Sequence, residues 1–232
     1  MPSLVGSEMC IRDRKYIDTD QSKAEEYLLT DFADTSQYLS AQNFTDNVIN
    51  VAMPSTYHFL EKVIDEIVRM YQDAGVELTA FHVGGDEVPE GIWEGSSICR
   101  TFMQENGLTK IRDLKDYFLE QILEMLDKRN IQAVGWQDIV MNPDNTVNEH
   151  FRNSKVLNYC WNTIPEQGGD EVPYKLANAG YPVILCNVGN FYLDMAYCYH
   201  VEEPGLRWGG YVDEYVTFDM LPFDTVSYTH LR

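Results

Sequence analysis

Four short apolar stretches alternate with amphipathic helical patterns along this 232-residue chain, and that alternation leaves few folds open. The stretches are residues 78–83, 132–136, 155–160 and 182–187. One helix opens at Pro54 and Ser55 and carries Phe59, Leu60, Val63, Ile64, Ile67, Val68 and Tyr71 on one face. Gly75 stops it. A second is capped by Thr109, buries Leu114, Phe118, Ile122, Met125 and Leu126, and ends at Asn130. Residues 144–152 read as a short helix, and residues 173–179 as another, closed by Gly180. Residues 18–46 read as a polar loop with a helical turn, and residues 88–107 as a long loop. Strands separated by crossover helices run parallel, so the expected class is α/β.

The C-terminal ends of the strands carry unusual chemistry. The first stretch runs into Phe81-His82-Val83-Gly84-Gly85-Asp86-Glu87-Val88-Pro89. Two glycines free the backbone for a tight bend and for close approach by another group. Two acids follow at the strand end, where parallel sheets and barrels keep their chemistry. Neighbouring carboxylates repel, which favours one protonated acid beside one ionised acid. The other stretches deliver Gly135-Trp136-Gln137-Asp138, Tyr159-Cys160-Trp161-Asn162 and Asn190-Phe191-Tyr192-Leu193-Asp194. Each Trp taken alone reads as core. Aromatic faces with carboxylates at four neighbouring strand ends suit a sugar, whose C–H face stacks on rings while its hydroxyls bond to acids.

Composition narrows the partners. With 44% hydrophobic residues the chain can bury a sizeable core. The net charge of −20 argues against a nucleic-acid surface, which needs clustered basic side chains. No apolar run approaches the roughly 20 residues that span a bilayer. Cys10, Cys99, Cys160, Cys186 and Cys198 show no metal-binding spacing and read as buried free thiols.

His82-Val83-Gly84-Gly85-Asp86-Glu87 resembles the H-x-G-G-D-E signature of glycoside hydrolase family 20, the β-N-acetylhexosaminidases. The later Trp, Tyr-Leu-Asp and Arg207-Trp208-Gly209-Gly210 blocks fall in that family's order, and residues 50–66 resemble the helix before its acidic strand. The resemblance covers residues 44–222. It implies a partial (β/α)8 TIM barrel, about the fourth to seventh strands with their helices. It implies substrate-assisted hydrolysis of a terminal N-acetylglucosamine or N-acetylgalactosamine, with no cofactor and no metal. In that scheme Glu87 is the general acid and then the general base. Asp86 orients the acetamido N–H, and Tyr192 bonds the acetamido carbonyl oxygen. Trp136 and Trp161 wall the acetamido methyl and the sugar face. Asp138, Asp194 and Trp208 bind substrate, and His82 orients the neighbouring acids. The family's habit of meeting glycans outside the cytoplasm implies a secreted, periplasmic or cell-surface location.

Other readings stay open. Gly84-Gly85-Asp86-Glu87 also resembles the G-G-D-E-F motif of diguanylate cyclases, but Val88 and Pro89 replace the Phe and the strand that follows it. His82, Asp86 and Glu87 could hold a divalent metal, yet no further His lies at ligand spacing. A non-catalytic sugar-binding module would retain the same rings. The family's Arg, P-x-x-D-x-x-G-H and Trp-x-Glu blocks are not in this sequence, so the chain reads as an internal fragment, inactive and aggregation-prone alone. Residues 1–14 and 226–232 read as non-native, adapter-like tails around a partial catalytic domain at 15–225.

Overall fold

The structure is a computed structural model that describes residues 28–154 and 156–220; the two expected tails lie outside these. The chain divides into two compact units, one from Met1–Thr79 with Glu87–Arg129 and the other from Ala80–Asp86 with Asn130–Arg232.

The second unit holds the sheet. Strands β1 (Ala80–His82), β2 (Gln132–Trp136), β3 (Leu157–Cys160) and β4 (Val183–Leu185) pair in the order β1-β2-β3-β4, all parallel. A doubly wound sheet reverses its order at a switch point, whereas a barrel keeps sequence order. All four expected strands are present; β2 spans the expected residues, and β1, β3 and β4 are shorter than expected. Their ladders run past those ends: Val83 N–H donates to Val134 O at 2.8 Å, Trp136 N–H to Gly84 O at 3.1 Å, and Cys186 N–H to Cys160 O at 2.8 Å. Ala133, Val134 and Gly135 are buried in succession, as strands covered on both faces require. Helices α4 (Val172–Asn178), α5 (Val188–Phe191) and α6 (Glu214–Phe218) complete this unit, and Val188, Met195 and Val212 form a small core there.

Where a helix was expected over 144–152, the chain makes a turn and then a 3₁₀ segment, Glu149–Ser154. Asp144 Oδ1 accepts from the Thr146 N–H at 3.1 Å, and this local bond competes with helix formation.

The first unit is helical. Helix α1 (Pro54–Asp73) begins with Pro in its first turn, where the fixed φ is pre-organised. It ends as expected on Gly75, at φ +71°. Gly75 N–H donates to Gln72 O and Val76 N–H to Tyr71 O, the paired bonds of a Schellman stop. Ile64 is buried on the expected face, but Tyr71 is exposed at the helix end. Helix α2 (Ser97–Asn106) occupies part of the expected 88–107 loop. Ser96 Oγ accepts from Cys99 N–H to start it, and Gly107 at φ +67° ends it. Helix α3 (Ile111–Asp127) starts one residue later than a Thr109 cap implies: Lys110 is the cap, and Asp113 Oδ2 accepts from both the Lys110 and Thr109 N–H groups at 2.9 Å.

The expected stripe on α3 is buried at Leu114, Ile122, Met125 and Leu126 and half-buried at Phe118. Leu114 joins Val51, Ala52, Ile92, Trp93 and Cys99 in this unit's core. A buried polar chain binds the 28–52 segment to α2. Asn50 Nδ2 donates to Ser96 Oγ at 3.1 Å, and Ser96 Oγ donates to Asp31 Oδ2 at 2.9 Å. Cys99 and Cys160 are buried as expected, but Cys198 is exposed. Among the described residues no helix is long and apolar enough to cross a membrane.

Leu114 is wholly buried and Met70 is 66% exposed. Leu114→Ala is therefore expected to cost about 2–5 kcal/mol in urea unfolding, and Met70→Ala less than about 0.5 kcal/mol.

Candidate active site

The bend after β1 is built by two glycines in the left-handed region, Gly84 at φ +73° and Gly85 at φ +92°. A Cβ on Gly85 would lie 2.1 Å from Ile139 Cγ2, and one on Gly135 would lie 2.4 Å from Ile139 Cδ1. Ile139 sits in the 3₁₀ turn Gln137–Ile139 that follows β2. Both expected uses of the glycine pair are therefore present: a sharp exit and a close approach. Asp86 leaves this bend exposed to solvent.

Side chains from three strands form a ring cluster at the same end of the sheet. The His82 imidazole lies 4.9 Å from the Trp136 ring and 5.2 Å from the Tyr159 ring, edge to face in both cases. Trp136 and Tyr159 are register partners across β2 and β3, with rings 6.0 Å apart. His82 Nδ1 accepts from Gly84 N–H at 3.1 Å, so the neutral ring carries its proton on Nε2. The flanking rings strip water from the imidazole although the residue is exposed overall. Burial thus holds His82 below the usual histidine range, with the Asp86 charge opposing it. The neutral ring suits a hydrogen-bonding, orienting part.

A second cluster lies beyond β3. Trp208 stands 5.9 Å from the Trp161 ring and 6.1 Å from the Tyr192 ring, both edge to face. Trp161 is held from behind by the strand-end block of β2. Gln137, 5% exposed, accepts the Trp161 backbone N–H on Oε1 at 3.0 Å. Asp138 Oδ2 accepts the indole Nε1–H at 2.8 Å. Tyr192 is half-buried against the Val188–Met195–Val212 core, and Asp194 is exposed. Two backbone bonds close the Asp194 loop: Leu206 N–H donates to Asp194 O at 2.7 Å, and Ala196 N–H to Leu206 O at 2.8 Å. Cys160, fully buried at the end of β3, has its thiol pushed up to about 12 by burial and by the charges of Cys186 and Asp138. It is a neutral filler at physiological pH.

In the first unit, Glu87 takes a left-handed backbone at φ +49°, uncommon for a residue with a side chain. Such conformations cost about 1–3 kcal/mol and gather at functional sites. Its Oε2 accepts from Gln42 Nε2 at 2.6 Å.

The nine residues singled out in the sequence lie at or after the carboxyl ends of strands. Trp161, Trp208, Tyr192 and Asp138 come together in one group, and His82 with Trp136 in another. Three residues were given no role of their own in the sequence reading. Tyr159 shares a register position with Trp136, a signal visible only once the strands are paired. Gln137 sits inside a recognised block but points inward. Gln42 lies 45 residues from its partner, in a stretch that reads only as polar loop.

Comparisons with known proteins follow the same lines. The family model for glycosyl hydrolase family 20, catalytic domain, matches residues 18–229. The chain is 35% identical over 200 residues to a β-hexosaminidase of Vibrio vulnificus, covering 85% of this chain and 23% of that protein. It is 28% identical to the N,N'-diacetylchitobiase of Vibrio harveyi, over 84% of this chain and 25% of that protein. The crystal structure of a family 20 exo-β-N-acetylglucosaminidase from Vibrio harveyi in complex with N-acetylglucosamine matches with a TM-score of 0.72 at 29% identity, over 90% of this chain and 30% of that one. The chain spans about a quarter of the length of these curated relatives.

The ring cluster sets a titration. His82 is expected to titrate by NMR below the ordinary midpoint of about 6.5. Asp86→Asn removes the charge that favours imidazolium, so it should lower the midpoint further. A midpoint above that value, or a rise in Asp86→Asn, contradicts the packing described.

Proposed function

The chain belongs to glycosyl hydrolase family 20, and from that premise we propose that the whole protein removes terminal non-reducing N-acetylhexosamine residues from glycans by substrate-assisted, retaining catalysis. The four parallel strands and their helices are part of an α/β barrel of the (β/α)8 type. The observation that carries the reading is the Gly84–Gly85 exit of β1, which presents Asp86 and then Glu87 directly after a strand.

In this reading the substrate's acetamido carbonyl oxygen attacks the anomeric carbon while the glycosidic C–O bond breaks. Glu87 gives its proton to the leaving oxygen. Asp86 accepts from the acetamido N–H and balances the positive charge that develops on the oxazolinium ring. The Tyr192 hydroxyl donates to the acetamido oxygen and aligns it. Water then attacks the anomeric carbon with Glu87 as base, restoring the proton and the original configuration.

The remaining residues shape the sugar's surroundings. Trp136 and Trp161 offer faces to the acetamido methyl and the sugar ring, and Trp208 extends the second cluster. Asp138 acts on the substrate through Trp161, whose indole N–H it holds. Asp194 is free in solvent to accept ring hydroxyls. His82, neutral and braced by Gly84, orients the Asp86 end of the bend. The substrate is a glycan ending in N-acetylglucosamine or N-acetylgalactosamine. The net charge of −20 fits a neutral glycan better than a nucleic acid.

Glu87→Gln in the whole protein is expected to cut kcat on 4-methylumbelliferyl N-acetyl-β-glucosaminide by about a hundredfold or more. Binding of N-acetylglucosamine by calorimetry should persist. Unchanged turnover would leave the protein without the acid this scheme requires.

A further inference from the structure

We propose that Gln42 is a positioning residue for Glu87: it fixes which carboxyl oxygen carries the transferable proton. The inference rests on the hydrolase reading above. Its basis is the 2.6 Å contact between Gln42 Nε2 and Glu87 Oε2 and the rigidity of what stands on either side of it.

Gln42 sits in a built turn. Asn43 N–H donates to Ser40 O at 2.8 Å, Ser40 N–H to Phe44 O at 2.8 Å, and Phe44 N–H to Ser40 Oγ at 3.1 Å. Asn43 takes the left-handed conformation at φ +63°, and Ser40 is 4% exposed. The segment before the turn is pinned as well. Gly95 N–H donates to Ser36 Oγ at 2.8 Å, and a Cβ on Gly91 would lie 2.4 Å from Gln37 O. After the turn, Val48 N–H donates to the Tyr38 hydroxyl at 3.0 Å. The loop carrying Gln42 is therefore seated against the stretch that follows Glu87, and the left-handed Glu87 backbone sets the carboxyl's starting direction.

The chemistry of the contact is specific. A carboxyl's carbonyl oxygen accepts an amide N–H better than its hydroxyl oxygen does, so the Gln42 contact favours Oε2 as the carbonyl oxygen of protonated Glu87. The proton is thereby directed to Oε1. In the first step the Oε1–H bond breaks and the leaving oxygen gains that proton. In the second step Oε1 takes a proton from the attacking water. A neutral donor orients the group without locking it as an anion, as a Lys or Arg in the same place would. A fixed proton is what a general acid gains most from, since a misdirected acid loses rate rather than binding.

The test uses two aryl N-acetyl-β-glucosaminides and the whole protein. The 4-methylumbelliferyl substrate leaves poorly and needs a proton, whereas the 2,4-dinitrophenyl substrate leaves without one. Gln42→Ala and Gln42→Met, the second retaining side-chain length without a donor, should each lower kcat/KM, which reports the first step, about tenfold on the first substrate. KM should stay within about twofold and the second substrate within about threefold. Equal losses on both substrates indicate a structural role and overturn the proposal. If Glu87→Gln loses turnover while both Gln42 variants keep it, the Gln42 role fails and the hydrolase reading stands. If Glu87→Gln keeps full turnover, the hydrolase reading falls and the Gln42 role falls with it.

Discussion

No side chain fits at Gly85. Ile139 already occupies the space a Cβ would need, and the backbone there is left-handed. That crowding depends on a second missing side chain at Gly135, against which the same isoleucine packs. Three consequences follow from one close approach. The β1–β2 ladder can run on to Gly84. The chain can then turn sharply out of the sheet. Asp86 and Glu87 emerge at the carboxyl end of a strand and not somewhere along a helix or loop. Any substituent at Gly85 would need Ile139, and with it the turn that carries Gln137 and Asp138, to shift.

The turn after β2 is what links this exit to the aromatic wall. Gln137 is buried because it completes the Trp161 backbone, and Asp138 holds that indole's N–H. The Trp161 ring is therefore oriented by polar contacts to its backbone and its indole edge. The charged and titratable groups nearby divide by environment. Cys160 is forced neutral by burial, His82 is held neutral between two rings, and the acids sit where water reaches them.

Much of the fold was legible because parallel strands and crossover helices write different periods into the sequence. The four strands and the helix stop at Gly75 follow from local pattern, whereas the sequential order of the strands was implied only by the family resemblance. The misses have physical causes. Helix α2 carries a Ser96 cap and a Gly107 stop, but its apolar positions are too few for the period to stand out. The 144–152 stretch is helical by pattern and loses to the Asp144–Thr146 side-chain bond. Of the site, the residues at strand ends were readable from their blocks. Gln42 was not, because only the fold brings the 40–44 turn to Glu87, and the pairing of Tyr159 with Trp136 was not, because the two lie on different strands.

In the proposed reaction the substrate's own acetamido oxygen is the nucleophile, with Asp86 and Tyr192 serving it and Glu87 serving the leaving group. Fluorine on the acetyl methyl withdraws electrons from that oxygen while scarcely changing its size. The decisive measurement is kcat/KM of the whole protein on aryl β-glucosaminides bearing N-acetyl, N-fluoroacetyl, N-difluoroacetyl and N-trifluoroacetyl groups. A steep, progressive fall along the series is the predicted result. A flat series would contradict it, because an enzyme carboxylate or water would then be making the first attack.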